Sequence, residues 1–295
     1  MTRIGPAGWA YKDWAGIVYP FPKPRGFHEL PFLAQYFDTV EINTSFYGPL
    51  SSKTANNWVE RIEAHPRFRF TAKLWRGFTH DRNATPEDEQ LFKKGMEPLI
   101  AAGRLGALLL QFPWSFRNTN ENREYVAKLR AMFRDYPLVL EVRHASWSEP
   151  GVLDLLEQFQ LGLCNIDQPL FKRSIKPAAV ATSPVGYIRL HGRNYKSWFT
   201  ENKHVGERYD YLYSPGELDP WVDRVKAVEQ AAEETYVVTN NHYLGKAVVN
   251  ALEIASLLTG ETVDAPATLV RKYPELHDFI SRGDQSNVQF PLLSE

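Results

Sequence analysis

The chain has 295 residues, 43% of them hydrophobic and 23% charged, with a formal net charge of −1. That length suits one large α/β barrel or two ordinary domains, and the charge balance argues against a surface coated with cations for nucleic acid, though it leaves room for a local basic patch. There is no low-complexity run, no signal-like apolar N-terminus and no stretch near the roughly 20 apolar residues of a membrane span, so a cytoplasmic protein is expected.

In chain order, short apolar strands alternate with amphipathic helices. Strands are expected near Ile4 to Gly8, Thr39 to Asn43, Arg67 to Lys73, Leu105 to Gln111, Leu138 to Arg143, Gly162 to Asp167, Gly186 to His191 and Thr235 to Asn240. Helical patterns run near His28 to Phe37, Ser52 to Ala64, Pro86 to Ala102, Asn120 to Phe133, Pro150 to Phe159, Glu217 to Glu234 and Leu244 to Leu258. Ser148-Glu149-Pro150 and Ser214-Pro215-Gly216 have the look of helix starts, while Gly103 and Gly260 sit where helices should stop. Eight strands with intervening helices predict a single TIM-type (β/α)8 barrel over residues 1–260, irregular around the sixth βα unit, where Gln168 to Ser183 is weak as a helix. The tail, 261–295, reads as an extension packing on the barrel, with one helix at Tyr273 to Ser281. The single cysteine, Cys164, lies in an apolar run and reads as a small buried strand residue. Neither a Gly-x-Gly-x-x-Gly nor a Walker-type motif is present, so no nucleotide cofactor is expected.

Barrels of this kind build their sites at the C-terminal ends of the strands. The first strand delivers Trp9 and Tyr11, the second Glu41 and Asn43, the third Lys73, the fourth Gln111, and the fifth Glu141, Arg143 and His144. The sixth delivers Asn165 and Asp167, the seventh Arg189, His191 and Arg193, and the eighth Asn240 to His242. Carboxylates and imidazoles in this pattern suit general acid/base work, with Glu41, Glu141, His191 and Asp167 as the catalytic candidates. Lys73, Arg143, Arg189 and Arg193 suit an anionic substrate such as a phosphate or carboxylate, while Asn43, Gln111, Asn240, Trp9 and Tyr11 would complete a binding site. Paired carboxylates also suit glycoside chemistry. A divalent metal is left open, with Glu141, Asp167 and His191 as its candidate ligands, although Arg143 and Arg189 beside that centre would repel a cation. The competing structural reading is that Glu41, Lys73, Glu141, Arg143 and Arg189 neutralise one another inside the barrel.

Several spaced motifs carry a resemblance. They are Ile4-Gly5-x-x-Gly8-Trp9-x-Tyr11-x-Asp13-Trp14, Val40-Glu41-Ile42-Asn43-x-x-Phe46-Tyr47, Phe68-Arg69-Phe70-x-x-Lys73 and Leu110-Gln111-Phe112-Pro113, then Glu141-Val142-Arg143-His144-x-Ser146-Trp147, Tyr187-Ile188-Arg189-Leu190-His191-Gly192-Arg193 and Asn240-Asn241. Together they resemble the YecE-like family, domain of unknown function 72, over roughly residues 3 to 258. The resemblance implies a TIM-type barrel and no settled activity; Asn240-Asn241-His242 departs from the Phe-Asn-Asn or acidic variant that family members often carry.

The leading expectation is an enzyme, a hydrolase or an isomerase, acting on a small anionic or sugar-like ligand. One alternative is a nucleic-acid-binding or abasic-site-nuclease-like protein using the loop Gly192 to Gly216, where Tyr195, Lys196, Trp198, Phe199, Lys203, Arg208, Tyr209, Tyr211 and Tyr213 interleave aromatics with cations and the acids Glu201, Glu207 and Asp210 offset them. A non-catalytic ligand sensor is the other. Oligomeric state is left open.

Overall fold

A computed structural model describes residues 1–198 and 205–281. Eight parallel strands, β1 (Thr2–Pro6), β2 (Thr39–Ile42), β3 (Arg69–Lys73), β4 (Leu105–Gln111), β5 (Leu138–Glu141), β6 (Gly162–Asp167), β7 (Val185–Leu190) and β8 (Glu234–Thr239), form one sheet in the order 1-8-7-6-5-4-3-2. The first and last strands in that order, β1 and β2, meet through a parallel bridge between Ala7 and Glu41, with the Gly8 amide donating to the Glu41 carbonyl at 2.8 Å. The sheet thereby closes into a TIM-type α/β barrel, as the alternating pattern predicts. Closure is tight enough that a Cβ on Gly5 would fall 1.9 Å from the Thr39 carbonyl oxygen.

Helices cover the outside. Those at Ser52–Arg61, Pro86–Ala101, Asn120–Met132, Val152–Gln158, Pro215–Ala231 and Lys246–Thr259 match their expected positions closely, whereas the first is a short Glu29–Leu33. Local chemistry sets the ends. Thr85 and Asp88 form a capping box ahead of Pro86, Ser214 and Glu217 do the same ahead of Pro215, and Gly260 ends its helix at a left-handed φ of 73°. The sixth unit has no helix after its strand. Instead Asn165 exchanges hydrogen bonds with Val180 (2.8 and 3.0 Å), and the Thr182 hydroxyl bridges the Leu161 carbonyl and the Leu163 amide, so side chains fasten this irregular segment to β6.

The expected tail helix at Tyr273 to Ser281 is corrected by the structure. An α-helix lies earlier, at Ala267–Lys272, and a 3-10 turn spans Pro274–Asp278. Pro274 disfavours helical backbone at Tyr273, which sits at φ −127° and ψ 76°. Leu269 and Leu276 are fully buried, and the Tyr273 hydroxyl donates to the Leu244 carbonyl at 2.7 Å, so the described part of the tail packs on the barrel. Among the described residues no helix is long and apolar enough to cross a membrane.

Candidate active site at the barrel mouth

Positions on β2, β5 and β7, with Arg143 just past the end of β5, bring two carboxylates and two guanidiniums together in one layer. Arg189 on β7 reaches across the barrel and grips Glu41 of β2 with two hydrogen bonds, Nε to Oε2 at 2.8 Å and Nη2 to Oε1 at 2.5 Å. Its remaining Nη1 donates to Glu141 Oε2 at 2.8 Å. Glu141 Oε1 accepts in addition from Gln111 Nε2 and Arg143 Nη2, both at 2.7 Å, and lies 3.0 Å from His191 Nε2. The Tyr187 hydroxyl, two residues before Arg189 and on the same face, lies 2.9 Å from Glu41 and 2.8 Å from the Thr71 hydroxyl. Glu41, Glu141, Arg189 and His191 are all fully buried. With two acids and two guanidiniums the layer is neutral, which is the condition for tolerating buried charge.

This pairing fixes protonation. Burial alone would raise the Glu141 carboxyl, but Arg189, His191 and Arg143 outweigh it and hold it well below the ordinary range. Burial pushes the His191 imidazole down to about 3, with Arg143 and Arg189 adding to the effect against Glu141. His191 is therefore neutral at physiological pH. Asn240 Nδ2 lies 3.0 Å from its Nδ1, and the consistent assignment has Asn240 donating there while Nε2–H donates to Glu141. Neither Glu141 nor His191 is poised to exchange protons near neutrality.

Lys73, at the end of β3, behaves differently. The structural reading of the sequence counted it within the neutralised network, yet among the described residues its Nζ makes no hydrogen bond or ion pair. It lies over the face of Phe46, with Nζ 4.1 Å from the ring centroid. Phe46 is held there by a single helical turn, Thr44–Tyr47, seated on β3 by the Ser45 hydroxyl donating to the Lys73 carbonyl at 2.7 Å. Burial, then Arg189, lowers the Lys73 ammonium to about 7, against the pull of Glu41 and Glu141. The amine is half-buried because one side opens into a cavity of about 600 Å³, lined by Gly8, Trp9, Ala10, Tyr11, Asn43, Thr44, Tyr47, Trp58, Lys73, Tyr209, Asn240 and His242.

The cavity walls are aromatic. Trp9 and Trp58 meet edge to face at 5.0 Å, and Tyr11 stacks on His242 at 4.2 Å with its hydroxyl donating to the Ala7 carbonyl. Trp14, in the same aromatic loop, is fully buried and donates from Nε1 to the His242 carbonyl, so it props the wall without lining it. Among the described residues no carboxylate lines the cavity.

Of the sequence-predicted residues, the structure brings Glu41, Glu141, His191, Arg143, Arg189 and Gln111 into the buried layer, and Trp9, Tyr11, Asn43, Lys73 and Asn240 to the cavity. It does not bring Asp167 or Arg193. Asp167 takes both oxygens to Arg193 (2.9 and 3.0 Å) and accepts from the Tyr213 hydroxyl, while Arg193 also reaches Glu217 at the start of the Pro215–Ala231 helix. Only Glu141 and His191 of the three candidate metal ligands meet, and among the described residues no group of three or more His, Cys, Asp or Glu is placed to hold a metal ion. His144 lies apart as well, its Nδ1 accepting from the Ser146 amide, and Cys164 is buried as expected. Phe199, Glu201 and Lys203 of the loop after β7 lie outside the described residues.

A family model, described as protein of unknown function DUF72, matches residues 3–273. The chain belongs to the DUF72 family. Among curated proteins it is similar to the UPF0759 protein YunF of Bacillus subtilis (strain 168), 28% identical over 275 residues that cover 88% of this chain and 95% of that one. Among solved structures it is similar to a DUF72 protein of Thermotoga maritima MSB8, with a TM-score of 0.75, 33% identity and coverage of 88% and 99%. A DUF72 protein of Enterococcus faecalis V583 gives a TM-score of 0.76 at 28% identity, covering 88% of this chain and 96% of that one.

The motifs that carry the DUF72 resemblance converge on this mouth. Residues that sequence reasoning passed over are Tyr187, Thr71, Thr44, Tyr47 and Trp58. The first four follow from strand alternation or adjacency to Glu41, Lys73 and Phe46. Trp58 comes from a helix, Ser52–Arg61, outside the strand-end loops and carried no such signal.

The buried imidazoles predict acid sensitivity. His191 is held near 3, and His80 and His242 near 4, all chiefly by burial, against 6.5 when unfolded. The unfolded chain binds more protons in that window, so the stability these groups contribute is present above about pH 6.5 and is lost as pH falls, at up to about 1.4 kcal/mol per pH unit for each of the deeply buried His191 and His242 and less for the partly solvated His80. Urea unfolding midpoints should therefore drop between pH 6.5 and 4. Midpoints that stay level over that range would contradict neutral burial.

Proposed function

We propose that the protein is an enzyme acting on a small anionic or sugar-like substrate held in the mouth cavity, with the Lys73 amine as the reacting or proton-exchanging group. The observation that carries this reading is an amine with no ion-pair partner among the described residues, facing an aromatic-walled cavity of about 600 Å³. That volume is typical of a small-molecule site. Asn43, Thr44 and Asn240 offer donors and acceptors for hydroxyl groups, and Trp9, Trp58 and Tyr47 offer flat surfaces for a sugar ring. Among the described residues an anion meets a lining without carboxylates and a lysine that can take up a proton.

The charged layer beneath supports this in a different role from the one its residues suggested. Glu41 and Glu141 are saturated by guanidinium and amide donors, so they position Arg189 and set the electrostatics of Lys73. A hydrolase or isomerase working through Lys73 fits this chemistry. Turnover found by screening phosphorylated and free sugars should give kcat/KM rising with pH through about 7 as Lys73 loses its proton. A rate flat from pH 6 to 8 would remove Lys73 from the chemistry.

A further inference from the structure

Resting on that reading, we propose that Lys73 forms an imine with the carbonyl carbon of its substrate, and that the substrate class is a hydroxylated aldehyde or ketone. Three features of the cavity point there. First, among the described residues Nζ makes no hydrogen bond or ion pair, and it lies against the ring face of Phe46. Lys23, Lys93 and Lys246, by contrast, form ion pairs with Glu29, Glu89 and Asp210. Second, Phe46 covers one side of Nζ at 4.1 Å, leaving a defined approach from the cavity. Third, Asn43, Thr44 and Asn240 ring the same space and can hold the hydroxyl groups that flank a sugar-type carbonyl.

The charged groups around Nζ decide its protonation. Burial tips the balance toward the neutral amine; Arg189 on β7 and Arg143, just past β5, oppose a second positive charge, and Glu41 on β2 and Glu141 on β5 favour it. His80, beyond the short Arg76–Thr79 helix, is also held neutral by burial and by Lys73 itself. Desolvated lysines of this kind are the usual carbonyl nucleophiles.

The step balances as follows. The amine lone pair attacks the carbonyl carbon, a C–N bond forms, and the carbonyl π pair moves to oxygen, which takes the proton released from nitrogen. One further proton, drawn from solvent filling the open mouth, lets that hydroxyl leave as water while the nitrogen lone pair forms C=N. The product is a protonated imine, whose charge the Phe46 face and the two carboxylates below can bear.

The test is reductive trapping. The full-length protein is incubated at pH 7 with dihydroxyacetone or glyceraldehyde and cyanoborohydride, which delivers hydride to an imine carbon, and the modified lysine is located by peptide mass spectrometry. Exposed Lys53 serves as the internal reference. Lys73 should be labelled at least tenfold faster than Lys53, inorganic phosphate should slow only the Lys73 reaction, and Lys73→Met should abolish the fast adduct while circular dichroism shows a folded chain. Labelling of Lys73 no faster than Lys53 overturns the imine. If turnover that depends on Lys73 is found without such an adduct, the imine falls and the enzyme reading stands; if neither appears, both fall.

Discussion

Lys73→Met is expected to lower turnover by at least about 10³-fold and at the same time to make the protein more stable at pH 7, by about 1–2 kcal/mol. The two effects share one cause. The folded barrel holds an ammonium in a place that disfavours it, down to about 7 from an ordinary 10.5, so at neutral pH part of the folding free energy is spent against that charge. Methionine fills a similar volume, keeps contact with Phe46 and carries no charge. The sign can be checked by titration. Between about pH 7 and 10.5 the unfolded wild type binds a proton that the folded form does not, so wild-type stability should rise with pH across that window. The variant should lack this rise. Urea unfolding at pH 7 and pH 9, run beside activity, checks both parts; a variant that is active, or one destabilised at pH 7, would rule the assignment out.

Arg189→Met should do the reverse. It removes the single side chain that bonds both Glu41 and Glu141, and leaves two buried carboxylates facing one another with only Arg143, Gln111, His191 and Tyr187 to satisfy them. Breaking one partner of a buried pair costs about 3–5 kcal/mol. For a chain of this size that corresponds to a fall in melting temperature on the order of 10 °C. Adding Glu41→Met to Arg189→Met should recover part of the loss, because the uncompensated charge is then removed too, and the double-mutant cycle should show coupling. A loss below about 1 kcal/mol for Arg189→Met alone would mean that water or local opening screens the layer.

The barrel was legible because its strands are covered on both faces, which makes runs such as Leu105–Gln111 almost wholly apolar until they reach the mouth. The irregular sixth unit was visible as well, in the weak helical pattern after Gln168. The tail helix, expected at Tyr273 to Ser281, lies instead at Ala267–Lys272, with Pro274 separating it from a 3-10 turn. At the site, strand alternation located Glu41, Glu141, Arg189 and Lys73 but could not say which charge would pair with which. Arg189 spans the barrel to reach Glu41, 148 residues away, and that choice left Lys73 without a partner. Alternation did hold a clue against Asp167: it stands in register with Leu190, the neighbour of Arg189 and His191 rather than their equal, and so it turns to Arg193 and Tyr213.

The same cross-barrel clasp bears on how the chain finds its closure. Successive strand residues face opposite sides, so sliding β2 by one position would send Glu41 out among the helices and set Val40 or Ile42 against the Arg189 guanidinium. Every such misaligned barrel leaves one carboxylate to face two guanidiniums, whereas the aligned one is neutral. An apolar layer would tolerate the slip with far less complaint. The ions at the heart of the mouth thus act as a proofreading device for assembly, rejecting rings of strands that are compact but shifted.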